Sequence, residues 1–153
     1  MPVLPSLMSM MTQLIASPSI SCSQASWDQS NKGVIQLLES WLSSQGFQCE
    51  IMPLPEQPNK FNLIATLGHG DGGLILSGHT DTVPYDEGRW QSDPFTLEER
   101  DQKLYGLGSC DMKGFLAAAM AVAPHYAKLD LVRPIHFCLS YDEETGCIGA
   151  ANL

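Results

Sequence analysis

The chain has 153 residues, 44% of them hydrophobic, which is enough for one globular core and argues against disorder. Its 17 acidic residues against 8 basic ones give a formal net charge of -9, so a nucleic-acid backbone or an anionic membrane surface is a poor partner. No run approaches the ~18 uninterrupted apolar residues of a membrane span. Residues 1–19 contain no Lys or Arg and so lack the positive n-region of a signal peptide. Cys22, Cys49, Cys110, Cys138 and Cys147 form no C-x-x-C pair, and a reducing, cytoplasmic setting is expected.

Leu4, Leu7, Met8, Met11, Leu14 and Ile15 recur at helical spacing until Pro18, which predicts an amphipathic helix over residues 5–16. Val34, Leu37, Leu38, Trp41 and Leu42 line one face of a second helix, with Asp28 or Ser30 as its cap and Gly46 after its end. Residues 47–54 and 61–67 read as adjacent strands, followed by a glycine-rich turn over 68–73. Leu74-Ile75-Leu76 runs into Ser77-Gly78-His79 as a strand buried on both faces, leaving His79 in the loop beyond it. Residues 95–99 and 103–106 suggest a surface hairpin around Arg100-Asp101-Gln102.

The alanine-rich stretch 113–129 predicts a helix with Asp111 near its positive N-terminal end and a kink at Pro124. Residues 135–141 give a last buried strand, and Thr145 onward reads as the start of another helix. Alternating helical and extended segments predict an α/β fold, a mixed sheet flanked by helices, in one domain over residues 1–153.

Three polar clusters follow predicted core strands or open a helix: His79-Thr80-Asp81, Cys110-Asp111-Met112-Lys113-Gly114 and Asp142-Glu143-Glu144-Thr145. Ligand sites of open α/β sheets form outside the carboxyl ends of strands, where such clusters meet. Zinc favours neutral imidazole nitrogen with carboxylate oxygen, and His79, Asp111 and Glu144 offer that mixture; cobalt and manganese accept the same donors. Asp81, two residues beyond His79, can orient the ring through its second nitrogen. Of the adjacent acids Glu143 and Glu144, one can bind metal while the other takes the proton of a metal-activated water. A thiol reading, with Cys110 as nucleophile and His79 or His125 as base, lacks an accompanying oxyanion motif.

The clusters stand inside longer motifs. Ser77-Gly78-His79-Thr80-Asp81-Thr82-Val83-Pro84, Leu104-Tyr105-Gly106-Leu107-Gly108-Ser109-Cys110-Asp111-Met112-Lys113-Gly114 and Asp142-Glu143-Glu144-Thr145-Gly146 resemble, in order, the three metal motifs of a family of zinc aminoacylases and deacylases. Ser17-Pro18-Ser19-Ile20-Ser21, Asn59-Lys60-Phe61-Asn62, Asp86-Glu87-Gly88-Arg89-Trp90 and Asp93-Pro94-Phe95-Thr96-Leu97 are similar to one deacetylase branch of it, so the resemblance runs over nearly the whole chain.

The resemblance implies the N-terminal part of a two-zinc, aminopeptidase-like catalytic domain. Carried over residue by residue, it implies that His79 binds one zinc, Asp111 bridges both, Glu144 binds the second, Glu143 is the general acid/base and Asp81 orients His79. The implied reaction is hydrolysis of the amide of a small N-acyl amino acid. The family also implies a further carboxylate ligand, a histidine ligand and an inserted lid domain through which members form homodimers, and these 153 residues contain none of them. The expectation is therefore an incomplete metal site, an exposed sheet edge and little or no activity for these residues alone. Another deacylase or a carboxypeptidase of the same family, or a non-catalytic truncated product, is the alternative.

Overall fold

A computed structural model describes residues 2–153. The first helix, α1 (Leu7–Ile15), starts where Ser6 Oγ accepts a hydrogen bond from Ser9 N at 3.2 Å, two residues later than the sequence pattern suggested. The second, α2 (Lys32–Ser44), is capped neither by Asp28 nor by Ser30. Its N-cap residue is Asn31, whose amide is committed across the fold to Phe61 N, Phe61 O and Thr80 Oγ1. Asp28 instead accepts from Cys22 N and Lys60 Nζ.

Strands β1 (Gln48–Leu54) and β2 (Gln57–Leu67) pair antiparallel, and β3 (Leu74–His79) follows the glycine-rich turn. A two-stranded hairpin, β4 (Glu98–Arg100) and β5 (Lys103–Tyr105), closes through Asp101 and Gln102, both at positive φ, as two-residue turns between twisted strands require. Helix α3 (Lys113–Tyr126) contains Pro124 in its last turn and ends two residues later. Strand β6 (Ile135–Ser140) completes the main sheet, whose order is β1-β2-β6-β3. The helix expected from Thr145 does not form: Glu143 and Asp142 carbonyls accept from Cys147 and Ile148 in a tight turn, and only a short 3-10 turn, Ala150–Asn152, follows.

Alternation along β2 and β6 decides which face is buried. Leu63 stands opposite Leu139 and Ala65 opposite Phe137, all fully buried, while Ile64, Cys138 and His136 on the other face are partly exposed. Leu14, Leu38, Leu116 and Met120 from the three helices pack onto the buried face in one core. Each such side chain contributes about 1.5–3 kcal/mol by leaving water.

One reading of the sequence is corrected here. Residues 74–79 are not buried on both faces: β3 is an edge strand, with Leu74 54% and Ile75 60% exposed. Only Leu76 of that apolar run packs against the core. A continuous apolar run cannot by itself distinguish a central strand from an edge.

Candidate metal centre

Strand β3 runs parallel to β6 with His79 level with Ser140, so both chains leave the sheet side by side although 61 residues separate them. That register sets the clusters of residues 79–81 and 142–144 at one edge. His79 is the last residue of β3 rather than a loop residue. Beyond it the chain is pinned: Thr80 N donates to Ser140 O at 2.9 Å, Ser19 Oγ donates to Thr80 O at 2.7 Å, and Ile20 pairs with Thr82 as a parallel bridge.

The His79 ring is buried. Its Nδ1 lies 3.1 Å from the Asp81 carbonyl oxygen and 3.4 Å from Asp81 Oδ1, which turns Nε2 toward Asp111 Oδ1 at 3.1 Å and Glu143 Oε2 at 3.9 Å. Burial opposes a charge on the ring, but the hydrogen bond and charge of Asp81, then Asp111 and Glu143, outweigh it and raise its pKa from 6.5 to about 9. Asp81 is fully buried; its Oδ2 accepts from Glu144 N at 3.1 Å, and its Oδ1 has no hydrogen-bond partner among the described residues. Asp81 thus contacts both His79 and the third cluster, a tie that its spacing from His79 alone did not reveal.

Asp111 arrives from the other direction, on the loop before α3. Gly108 sits at φ +78, and a Cβ there would stand 2.6 Å from Thr82 Cγ2. Asp111 caps no helix; the N-cap residue is Met112, without a side-chain bond. The α3 end is held instead by Lys113, buried, whose Nζ donates to Leu14 O at 2.9 Å and Ser17 O at 2.7 Å at the end of α1. Burial pulls the Lys113 ammonium down to about 7 against the raising influence of Asp81.

His79, Glu143 and Glu144 each offer a donor atom, all within 4.8 Å of one another. Tetrahedral ligands at ~2.1 Å from one zinc lie ~3.4 Å apart, so donor atoms within 4.8 Å of one another are spaced on the scale of a metal centre. Glu144 is raised above the usual carboxylate range by burial and by the charge of Asp111, with His79 pulling the other way. Among the described residues, His79 is the only cationic group within ion-pair distance of Asp111 and Glu143. One imidazole nitrogen facing three carboxylates is a donor set that fits a divalent cation. Glu143 and Glu144 each bring a carboxylate oxygen within 4.8 Å of the His79 ring, and the geometry does not divide the ligand and base roles between them.

A cleft of about 250 Å³ adjoins the centre, lined by Thr82, Val83, Trp90, Leu107, Asp111 and Glu144 among others. Trp90, from the motif at residues 86–90, is part of that wall. Arg89 is not among the residues of that wall and forms an ion pair with Asp86 at 3.1 Å. Cys110 is exposed, and neither it nor His125 joins the cluster around His79. A larger cavity of about 460 Å³ lies between the N-terminal segment and α3, where Lys128 is the one charged residue of its wall among the described residues.

A mixed sheet delivering one imidazole and several carboxylates to its carboxyl edge defines a class of metal-dependent hydrolases. The chain belongs to peptidase family M20/M25/M40, whose model matches residues 75–153. It is 53% identical over 147 residues to the acetylornithine deacetylase of Proteus mirabilis and 54% identical over 147 residues to that of Photorhabdus laumondii. Each alignment covers 96% of this chain and 38% of the relative, so the chain spans well under half the length of these curated relatives. A solved M20 family metallo-carboxypeptidase from Sulfolobus solfataricus shares the fold at a TM-score of 0.80 and 20% identity, over 97% of this chain and 33% of that one.

Proposed function

We propose that this chain is the metal-binding part of a hydrolase that cleaves N2-acetylornithine to ornithine and acetate. The observation that carries the reading is the meeting of His79 Nε2, Asp111, Glu143 and Glu144 at the carboxyl edge of the sheet. The relatives named above supply the substrate, and the stretches at residues 86–90 and 93–97 carry the same branch's pattern.

In this reading His79, Asp111 and Glu144 would hold the two zinc ions. Bound zinc supplies Lewis acidity toward the acyl carbonyl and lowers the pKa of a water toward ~7. Asp81 keeps the His79 ring turned so that Nε2 would face the metal, through its carbonyl oxygen at 3.1 Å from Nδ1 and the charge of Oδ1 at 3.4 Å. Glu143 takes the proton of the attacking water and passes it to the leaving amine. The free state of all five cysteines fits a cytoplasmic setting for that reaction.

The 153 residues form, in the same reading, part of one catalytic domain whose further metal ligands lie in chain outside this sequence. The open side of the centre supports this, since the Asp111 side chain is 73% exposed. By themselves these residues are expected to release no measurable acetate from N2-acetylornithine with added zinc. Joined to the remaining part of the Proteus mirabilis relative, they are expected to hydrolyse it, and Glu143→Ala in that chimera should abolish turnover while zinc stays bound. A chimera that hydrolyses other N-acyl amino acids but not acetylornithine would refute the substrate; one that retains turnover without Glu143 would refute the base.

A further inference from the structure

Lys60, in β2, is a buried lysine remote in sequence from every metal donor. Its Nζ donates to Asp142 Oδ1 at 2.7 Å and Oδ2 at 3.0 Å, and to Asp28 Oδ1 at 2.8 Å; it also lies 4.9 Å from the centre of the Tyr141 ring. Burial pulls the ammonium down, but the hydrogen bonds and charges of Asp142 and Asp28 prevail and raise its pKa.

Asp142 is buried and also accepts from Ser21 Oγ at 2.9 Å. Its φ of +56 is left-handed backbone, which a non-glycine residue keeps only where its surroundings hold it. That turn follows directly on β6 and comes immediately before Glu143 and Glu144. Two residues along β2, Asn62 Oδ1 accepts from Tyr141 N at 3.2 Å and Asn62 Nδ2 donates to Gly149 O at 2.7 Å. Lys60 and Asn62 share one face of the strand, so β2 grips the segment 141–149 at both ends. The grip is anchored in turn, because Asn31 bonds both Phe61 N and Phe61 O.

A buried ion pair contributes little net stability compared with well-packed apolar groups, and its better-attested use is to specify one conformation. Here the conformation specified is that of the residue preceding the glutamates. We propose that Lys60 is a positioning residue for the metal centre: through Asp142 it holds the left-handed turn that presents Glu143 and Glu144 to His79. The proposal rests on the metal reading above for its function, but not for its geometry.

Two measurements on the 153-residue chain test it. In the metal-free chain, Lys60→Met should speed amide exchange at Ile148 and Gly149 at least tenfold; their N–H groups close the segment on Asp142 O at 3.2 Å and Tyr141 O at 2.9 Å. Exchange in the β2–β6 ladder should not change. In a Co²⁺ titration followed by d–d absorption, Lys60→Met should bind at least tenfold more weakly with an altered band, and Lys60→Arg should restore both. Wild-type protection at Ile148 and Gly149 in folded Lys60→Met overturns the proposal, as does cobalt binding identical to wild type. If Lys60→Met does not fold, Asp142→Asn, which keeps the shape and removes the charge, is read by the same two criteria. A wild-type chain that binds no cobalt defeats the metal reading alone, and the exchange result then still decides whether Lys60 holds the turn.

Discussion

His79 and Asp81 are 6% and 0% exposed, whereas the side chains of Asp111 and Glu143 are 73% and 42% exposed, although all four belong to one cluster. The buried half is built by the backbone: parallel pairing of β3 with β6 places His79, and the hydrogen bonds of Thr80 and Thr82 place Asp81. In the open half only the backbone is held, by the turn at Asp142 and the bond from Glu144 N to Asp81 Oδ2, while the side chains of Asp111 and Glu143 stand largely in solvent. The contrast teaches that the fold fixes the His79 imidazole and Asp81 in place, and leaves the side chains of Asp111 and Glu143 exposed to solvent. Breaking the buried half should therefore cost metal affinity by misplacing a ligand, while changes in the open half should spare the fold.

The largest effect is expected from His79→Ala, which removes the nitrogen donor; zinc retained after gel filtration by the wild-type chain should be lost. Unchanged zinc content in that variant would sink the metal assignment. Asp81→Asn should come next. Partners that orient a ligating histidine are worth roughly 10–100-fold in affinity, and a loss of that size by competition titration, with an unchanged circular dichroism spectrum, is expected here.

A third expectation concerns pH in the metal-free chain. His79 has a folded pKa of about 9 against an ordinary 6.5, so between those values the folded state holds a proton that the unfolded chain releases. The stability His79 contributes is therefore full below pH 6.5 and is lost as pH rises through about 9. With a chelator present, the difference in Tm between wild type and His79→Gln should shrink across that window; a difference that grows with pH contradicts the carboxylate environment described. The smallest effect belongs to the open half: Glu143→Gln should change stability by no more than about 0.5 kcal/mol in urea titration, as exposed substitutions do. A large loss there would show that the open carboxylates carry the fold after all.

The elements were legible where local signals are strong. The periodic stripe of Val34, Leu38, Trp41 and Leu42 marked α2, and residues 135–141 read as a buried strand where β6 forms. Misplaced features were those decided by distant partners. Asn31 displaced Asp28 and Ser30 as the helix start because its side chain is needed at Phe61 and Thr80. Ile75 faces solvent because nothing among the described residues pairs beyond β3. Thr145 opens no helix because the segment after Asp142 turns back to Tyr141.

For the centre the division is similar. Residue types and their place after strands identified His79, Asp81, Asp111, Glu143 and Glu144 as one candidate set, because zinc chemistry limits which side chains can serve and strand ends limit where they can meet. Lys60, Lys113 and Trp90 stood inside motifs of the resemblance, at 59–62, 104–114 and 86–90, but nothing in their residue type said what each would touch. Only the tertiary structure buries Lys60 against Asp142, fastens Lys113 to the end of α1 and sets Trp90 in the cleft beside Asp111. The physical reason is range: donor chemistry is a property of single residues and short motifs, whereas charge pairing and cavity walls exist only between segments that folding brings together.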